Sequence, residues 1–429
     1  MNILLLGSGG REHALAWKLS QSAKLGQLYI LPGNAGTAGC GENIEGSVND
    51  FEKIRQVVLE KGVSMVVVGP EEPLVKGIHD FFLNDPELAA VSVIGPRMLG
   101  ARLEGSKDFS KNFMLRHGIP TASYATFTPD TLQEAYQYIR THSLPIVLKA
   151  DGLAAGKGVI ITSDRGEATN TVREMLSGAA FGDAGTRVVI EEFLTGIELS
   201  VFVLTDGISY KVLPEAKDYK RIGVGDTGLN TGGMGSISPV PFATAGFMAK
   251  ITDRIILPTL EGLKKEGIPY TGFIFIGIIK VGDEPFVIEY NVRLGDPETE
   301  SVIPRITSDL LELFQAVASQ TLDQVELTVS EQAAATIMLV SGGYPGKYNK
   351  GLPINGYSPF DSGNTFVFHA GTRLSGDSVV TDGGRVIAVT ALAANAEKAL
   401  AKALDRVEDV DFIGLNYRND IGFDLKNLA

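Results

Sequence analysis

The chain has 429 residues, with 51 acidic against 38 basic side chains, a net charge of −13, and 44% hydrophobic and 21% charged residues; this is ordinary for a globular protein of about three domains. The acid excess disfavours a nucleic-acid or anionic-membrane partner, because phosphate surfaces want a basic face. A lone cysteine, Cys40, permits no intrachain disulfide framework, and no apolar run approaches the ~20 residues of a membrane span.

The opening MNILLLGSGG has no basic region ahead of a short apolar run, so it reads as a first strand and not a signal peptide. A cytoplasmic protein is expected. Glycine is in excess, at 50 residues against a usual ~7%, and without a triplet period this points to tight loops near ligands.

After a strand over 2–6, Gly7-Ser8-Gly9-Gly10-Arg11-Glu12-His13 turns into a helix. Free backbone N–H groups at such a turn suit an anion. A dinucleotide fingerprint wants a third glycine where Glu12 stands, so the turn predicts a monophosphate site and argues against an NAD-dependent oxidoreductase. Strands over 28–31, 63–68 and 91–94 also end in Gly or Pro turns, which describes an open parallel sheet with ligands at its carboxyl edge.

A helix over 99–117 begins a new unit, kinked near Ser106-Lys107; taken alone, Lys107 is a solvated helix lysine. Strand 123–127, helix 131–141 and strand 146–149 lead to KADGLAAGKGV. Its glycines lie one residue too close for a Walker A loop, and Gly158 replaces the Ser/Thr that would bind Mg²⁺. The stretch predicts a flexible hairpin loop lying over phosphates, with Gly152, Gly156 and Gly158 supplying backbone and Lys149 and Lys157 supplying charge.

A strand over 186–190 exits into Glu191-Glu192-Phe193-Leu194-Thr195-Gly196-Ile197-Glu198, either an inter-domain hinge or a seat for a base with Glu198 on ribose hydroxyls. The span 218–236, with five glycines in the dozen residues after Lys220-Arg221, predicts a long mobile loop that closes over substrate. A helix over 244–266 and a strand over 272–281 follow. Next comes PFVIEYNVRLGDPETE, in which Glu289, Asn291 and Arg293 alternate and so share one strand face, ahead of an acidic turn from Gly295 to Glu300. Carboxylate, amide and guanidinium together suit a hard cation and a phosphate or carboxylate. Beyond Gln332, strands over 333–340, 366–370 and 385–391 and an amphipathic helix over 395–410 predict a separate, mostly structural lobe.

GGREHALAWKL, KADGLAAGKGV, EEFLTGIE, NTGGMGS, EYNVRLGDPETE and YRNDIG, in this order up to about residue 423, resemble the phosphoribosylamine–glycine ligase family (glycinamide ribonucleotide synthetases) of the ATP-grasp superfamily. The resemblance implies an α/β chain, α+β in the grasp core: an N-terminal open parallel sheet domain over 1–103, an ATP-grasp domain over 104–330 with a mobile lid at about 121–190, and a C-terminal mixed domain over 331–429. It implies an ATP-dependent carbon–nitrogen ligase of purine biosynthesis that joins glycine to 5-phosphoribosylamine through glycyl phosphate, with Mg²⁺ or Mn²⁺. Small molecules are then the partners, with no nucleic acid or membrane, and a monomer is expected.

Position by position, the resemblance implies that Lys107, Lys149, Gly152, Gly156, Lys157, Gly158, Glu191, Glu192, Leu194 and Glu198 meet ATP and that Glu289 and Asn291 hold the metal. It gives substrate contacts to Gly9, Gly10, Arg11, Asn34, Glu71, Lys220, Gly232, Arg293 and Asp296, and catalytic roles to Lys149, Asp218 and Arg293. Leu229, Ile237, Val292, Leu294 and Glu300 depart from the family pattern; Leu229 is expected to loosen loop closure and Glu300 to add charge beside the metal. Within the superfamily the alternatives are another carboxylate–amine ligase of nucleotide metabolism or a biotin-dependent carboxylase, and outside it a non-catalytic nucleotide-binding module.

Overall fold

The computed structural model describes residues 1–153, 158–177, 187–357 and 364–425. Its first sheet is parallel, in the order Glu42–Asn43, Leu28–Pro32, Ile3–Gly7, Met65–Val68, Ser92–Ile94. Ile3 to Gly7 are all buried, as a parallel strand covered on both faces requires. Every turn at its carboxyl edge faces the rest of the protein.

The helix expected over 99–117 is two helices, Met98–Gly105 and Lys107–Arg116. Ser106 between them is extended, and its hydroxyl accepts from the Phe109 N–H, so one residue ends the first helix and caps the second. The lid follows: an antiparallel sheet in the order Tyr124–Phe127, Val188–Glu192, Ile146–Ala150, Val159–Thr162, backed by helices Leu132–Thr141 and Arg165–Leu176. It has its own apolar core, in which Ile146, Leu148, Val172 and Ile190 are buried. The strand expected from residue 186 begins at Val188, and its first two residues lie outside or at the edge of the described chain.

The central sheet is antiparallel, in the order Tyr210–Val212, Ile197–Thr205, Gly272–Val281, Glu284–Asn291. The helix expected over 244–266 runs from Ala245 to Lys265 through a π-helical stretch, Thr252–Ile256. Pro258 lacks an N–H, and this removes a rung of the α-helical ladder at that point.

Two expectations fail together in the third region. The span 218–236 is not one long loop: Arg221–Gly223 and Thr227–Asn230 form a hairpin, and Gly235–Ser238 is a buried strand. That strand and Lys217–Asp218 join Ala333–Val340, Arg385–Ala393 and Thr365–His369 in one sheet. The C-terminal lobe is therefore not separate; it shares its sheet with the middle of the chain. A single core runs from Leu4 through Ile276 to Val340 and Ala388.

Candidate functional site

Glu284–Asn291 pairs with Gly272–Val281 and slips register so that Ile288 has no partner residue. This bulge lies before Glu289, and Glu289 and Asn291, opposite Gly277 and Phe275, keep to one face. The Glu289 carboxylate makes no ion pair among the described residues, and its charge bears on Lys107 and Lys220. Asn291 Oδ1 accepts from Arg293 Nη2 at 3.1 Å. Arg293 also reaches Glu71 through Nε at 3.2 Å, Glu104 through Nη2 at 2.9 Å and the Leu294 carbonyl through Nη1 at 3.2 Å. Four of its five N–H groups are thus engaged, and one on Nη1 is left for an incoming oxygen. Burial works against this charge, but Glu104 and Glu71 more than offset it and the guanidinium is held above its ordinary value.

Sequence reasoning missed Glu104. It stands near the end of Met98–Gly105, which with Lys107–Arg116 forms the pair of hinge helices leading to the lid. It accepts from the Val292 N–H at 2.7 Å as well as from Arg293, and is pushed by burial up to about 7. Its partners are 188 and 189 residues away, so no local pattern marks it.

The nucleotide candidates gather where the hinge meets the lid. Lys107 Nζ donates to the Gly152 carbonyl at 2.9 Å, while Ser106 Oγ and the Asp108 N–H donate to Asp151 at 3.2 Å each. Lys107 is therefore no solvated helix lysine; burial lowers its pKa, opposed chiefly by Glu289. Lys149 pairs with Glu191 at 2.9 Å and donates to the Ile288 carbonyl at 3.3 Å. The Glu191 carboxylate is buried, so an adenine there would meet the backbone of 191–194 and not this side chain. Glu192 accepts from the Ser123 N–H at 2.8 Å, and Leu194 sits half-buried in the link to the next strand. Gly158 is buried beside the strand end, its carbonyl accepting from Ala150 N–H at 2.9 Å, whereas Gly156 and Lys157 lie outside the described residues.

Glu198 pairs with Lys220 at 2.5 Å, and Lys220 with Asp218 at 3.4 Å. Asp218 is raised by burial, with Lys220 opposing and Glu198 adding. Glu298, missed in the sequence, is buried nearby: it accepts from Ser200 Oγ at 2.9 Å and is pushed by burial and Asp218 to about 7. Three carboxylates facing one lysine make a pocket suited to a second ammonium group.

The first turn differs from expectation. The Gly9 N–H donates to Glu12 Oε2 at 2.6 Å and the Arg11 N–H to Asp296 Oδ2 at 3.4 Å, so the phosphate cradle is already filled by the chain's own carboxylates. The Arg11 side chain is buried, on Glu12 at 2.6 Å and the Leu294 carbonyl at 3.2 Å. Asn34 Oδ1 accepts the Gly36 and Thr37 N–H groups, and its Nδ2 donates to Ser8 and His369 carbonyls at 2.9 and 2.7 Å. It shapes the wall with every polar atom engaged.

Next to this turn a cavity of about 610 Å³ opens between Gly9, Asn34 and Asp296 on one side and Thr372, Arg373 and Arg385 on the other. Arg385 donates to the Gly232 carbonyl at 2.7 Å and the Asp296 carbonyl at 2.8 Å and pairs with the Asp296 carboxylate at 3.0 Å. Gly232 is also held through its N–H by the Tyr344 hydroxyl at 3.0 Å. Arg373 and Arg385 went unmarked because the C-terminal strands read as structure.

Glu300 is not beside Glu289. It is fully buried beneath the first turn, where a side chain at Gly10 would collide with it, and neither oxygen finds a donor among the described residues. Burial and the neighbouring Asp296 raise its pKa well above the ordinary carboxylate value. Of the other departures, Ile237, Val292 and Leu294 are buried apolar residues, and Leu229 is exposed on the hairpin.

The chain matches three sequence profiles in succession: phosphoribosylglycinamide synthetase N domain over residues 1–104, its ATP-grasp (A) domain over 105–299 and its C domain over 334–424. It is 45% identical to a phosphoribosylamine–glycine ligase of Vibrio vulnificus over 426 residues, covering 99% of this chain and 98% of that one. The crystal structure of phosphoribosylamine–glycine ligase from Thermotoga maritima superposes with a TM-score of 0.84 at 34% identity, covering 98% of this chain and 100% of that one. The biotin carboxylase domain of Hydrogenobacter thermophilus 2-oxoglutarate carboxylase, solved with MgADP and bicarbonate, shares the fold at a TM-score of 0.73 and 17% identity, covering 97% of this chain and 91% of that one.

Proposed function

From the premise that the chain belongs to the phosphoribosylglycinamide synthetase family, matched in all three of its domains, we propose how its residues divide the work. The reaction is the ATP-dependent ligation of glycine to 5-phosphoribosylamine in purine biosynthesis, giving glycinamide ribonucleotide, ADP and phosphate.

In this reading ATP lies between lid and central sheet, its phosphates met by Lys107, Lys149 and the backbone at Gly152 and Gly158, its base by 191–194 and its ribose by Glu198. Gly156 and Lys157 are assigned to the same loop. Glu198 must then exchange its pairing with Lys220 for ribose hydroxyls.

The oxygens of Glu289 and Asn291 fit Mg²⁺ or Mn²⁺: they share a strand face, and Glu289 is uncommitted to any base among the described residues. Two protein ligands suffice where substrate phosphates and water complete the shell, which agrees with the lack of a larger His, Cys, Asp and Glu cluster among the described residues. A divalent cation bound there supplies charge neutralisation on the phosphates.

Glycine is placed with its ammonium toward Asp218 and Glu298 and its carboxylate toward Arg293. A carboxylate oxygen attacks the γ-phosphorus, the bond to ADP breaks, and glycyl phosphate forms. The phosphoribosylamine nitrogen then attacks the acyl carbon, phosphate leaves, and the amine loses a proton. Phosphoribosylamine is assigned to the cavity between Gly9, Asn34 and Asp296 on one side and Arg373 and Arg385 on the other, and Gly10, Arg11, Glu71, Lys220 and Gly232, which do not line it, are kept as further contacts of the same substrate. The protein's part is orientation and charge balance.

The observation that supports this most is the Glu289 carboxylate, which has no ion pair among the described residues and whose charge bears on Lys107 and Lys220. Its test is ADP release by the Glu289→Ala variant with ATP, Mg²⁺, glycine and fresh phosphoribosylamine. Turnover should fall by about a thousandfold or more with unfolding unchanged, the scale of losing a group that stabilises developing charge; an active variant refutes the metal assignment. ADP release by the unaltered protein should require both substrates.

A further inference from the structure

One buried charge has no part in that reading. Lys111, on the second hinge helix, is 3% exposed at its side chain and pairs with Glu191 Oε2 at 2.9 Å, while Lys149 pairs with Oε1 of the same carboxylate at 2.9 Å. Lys111 also donates to Thr121 Oγ1 at 2.8 Å, and Thr121 donates to the Val287 carbonyl at 2.7 Å. Lys149 reaches the next carbonyl, Ile288, at 3.3 Å. A ring therefore closes: Val287, Thr121, Lys111, Glu191, Lys149, Ile288. It joins hinge, lid and the strand that carries Glu289.

Two buried lysines share one buried carboxylate. The trio itself carries one positive charge in excess, with Glu192 acting on Lys111 and Glu198 on Lys149 without a direct ion pair to either. A buried charge without a direct partner is expensive, so the trio is suited to a further anion. We propose that Lys111 is a positioning residue for the nucleotide: by holding Glu191 it keeps the positive charge of Lys149 from being cancelled, and the ATP polyphosphate supplies the missing negative charge. Burial pushes Lys111 down to about 8 against the pull of Glu191, which leaves it charged at neutral pH. This inference rests on the reading that Lys149 touches the nucleotide.

Without Lys111, Glu191 and Lys149 form a neutral pair and the polyphosphate loses its counter-charge. Removing the Glu191 charge as well returns the excess. The experiment is calorimetric titration of the full-length protein with ADP and Mg²⁺. Lys111→Met should weaken binding by about tenfold or more, since one charge at these separations exceeds a tenfold effect. Adding Glu191→Gln to that variant should recover most of the loss.

A purely structural lysine predicts the opposite for the double variant, which would bind no tighter than Lys111→Met alone; that result overturns the proposal. So does Lys111→Met binding within about twofold of the unaltered protein. If the Met variant does not fold, Lys111→Gln, which keeps a donor without the charge, carries the same comparison. Lys149→Met separates the two readings: if it leaves ADP binding unchanged, the nucleotide assignment itself is wrong, whereas weakened binding there with none from Lys111 variants rejects only the role of Lys111.

Discussion

Replacing Arg418 by Met should release the hairpin 221–230 from the C-terminal lobe. Arg418 is fully buried, pairs through both sides of its fork with Asp420 at 2.8 Å each, reaches Asp226 at 2.5 Å and donates to the Arg221 carbonyl at 3.2 Å. Asp420 in turn accepts the Gly225 N–H at 2.7 Å, so one arginine and one aspartate hold both ends of the turn. Breaking a buried ion pair from one side costs about 3–5 kcal/mol. Here Asp226 is 41% exposed and recovers water when abandoned, which brings the expected loss to about 2–4 kcal/mol.

The unfolding of so long a chain need not be two-state, so the assay is amide hydrogen exchange across 221–230. Exchange in the variant should quicken by about thirtyfold to several hundredfold at pH 7, the same energy read as opening of the hairpin. Burial pushes Asp420 up, but Arg418 and the Gly225 N–H outweigh it and hold it below the carboxylate range. A carboxylate lowered in the fold lends stability above its unfolded pKa and loses it as pH falls through the folded value. The gap between the two proteins should therefore narrow below about pH 4. Exchange rates within about threefold of each other at pH 7, in a correctly folded variant, would refute the reasoning.

Glu300→Gln should be at least as stable as the unaltered chain. A carboxyl raised in the fold loses stability as pH climbs from its unfolded value, so urea midpoints of the two proteins should agree near pH 4 and diverge, in favour of Gln, toward pH 8. Equal midpoints throughout would mean that Glu300 finds a partner for its charge. Arg385→Ala removes the bonds that fix Gly232 and Asp296, so KM for phosphoribosylamine should rise about tenfold while KM for ATP stays within about twofold; an equal rise in both would point to general loosening.

The N-terminal sheet was legible because its strands are continuous apolar runs broken by Gly and Pro. The alternation of Glu289 and Asn291 was legible because a strand's period of two survives even beside a bulge; the strand ends at Asn291, so Arg293 comes from the bend beyond it and is tied to Asn291 by a hydrogen bond instead. Gly235–Ser238 was not, since a single isoleucine among Gly and Ser in a glycine-rich stretch carries no hydrophobic period. Glu104, Lys111 and Arg385 escaped because each acquires meaning only from partners far along the chain: Glu104 from Arg293, Lys111 from Glu191, Arg385 from Asp296. Glu300 was noticed for its charge, but only its burial against Asp296 shows how strongly the fold works against that charge.

The sheet that joins Gly235–Ser238 to Ala333–Val340 and then to Arg385–Ala393 also constrains the order of assembly. During synthesis the N-terminal sheet has all its strands once residue 94 has emerged, and the lid once residue 192 has. Strand 235–238 can pair at once with the short Lys217–Asp218 on one side, but it must wait for about a hundred further residues before its other neighbour exists, an interval of seconds to tens of seconds at ribosomal rates. Throughout that wait its other side is an unpaired edge, and the exposed edge of a nascent strand is where aggregation and chaperone capture begin. Its brevity and its Gly-Ser-Ile-Ser sequence, weakly sticky by composition, suit a segment that has to be left open for so long.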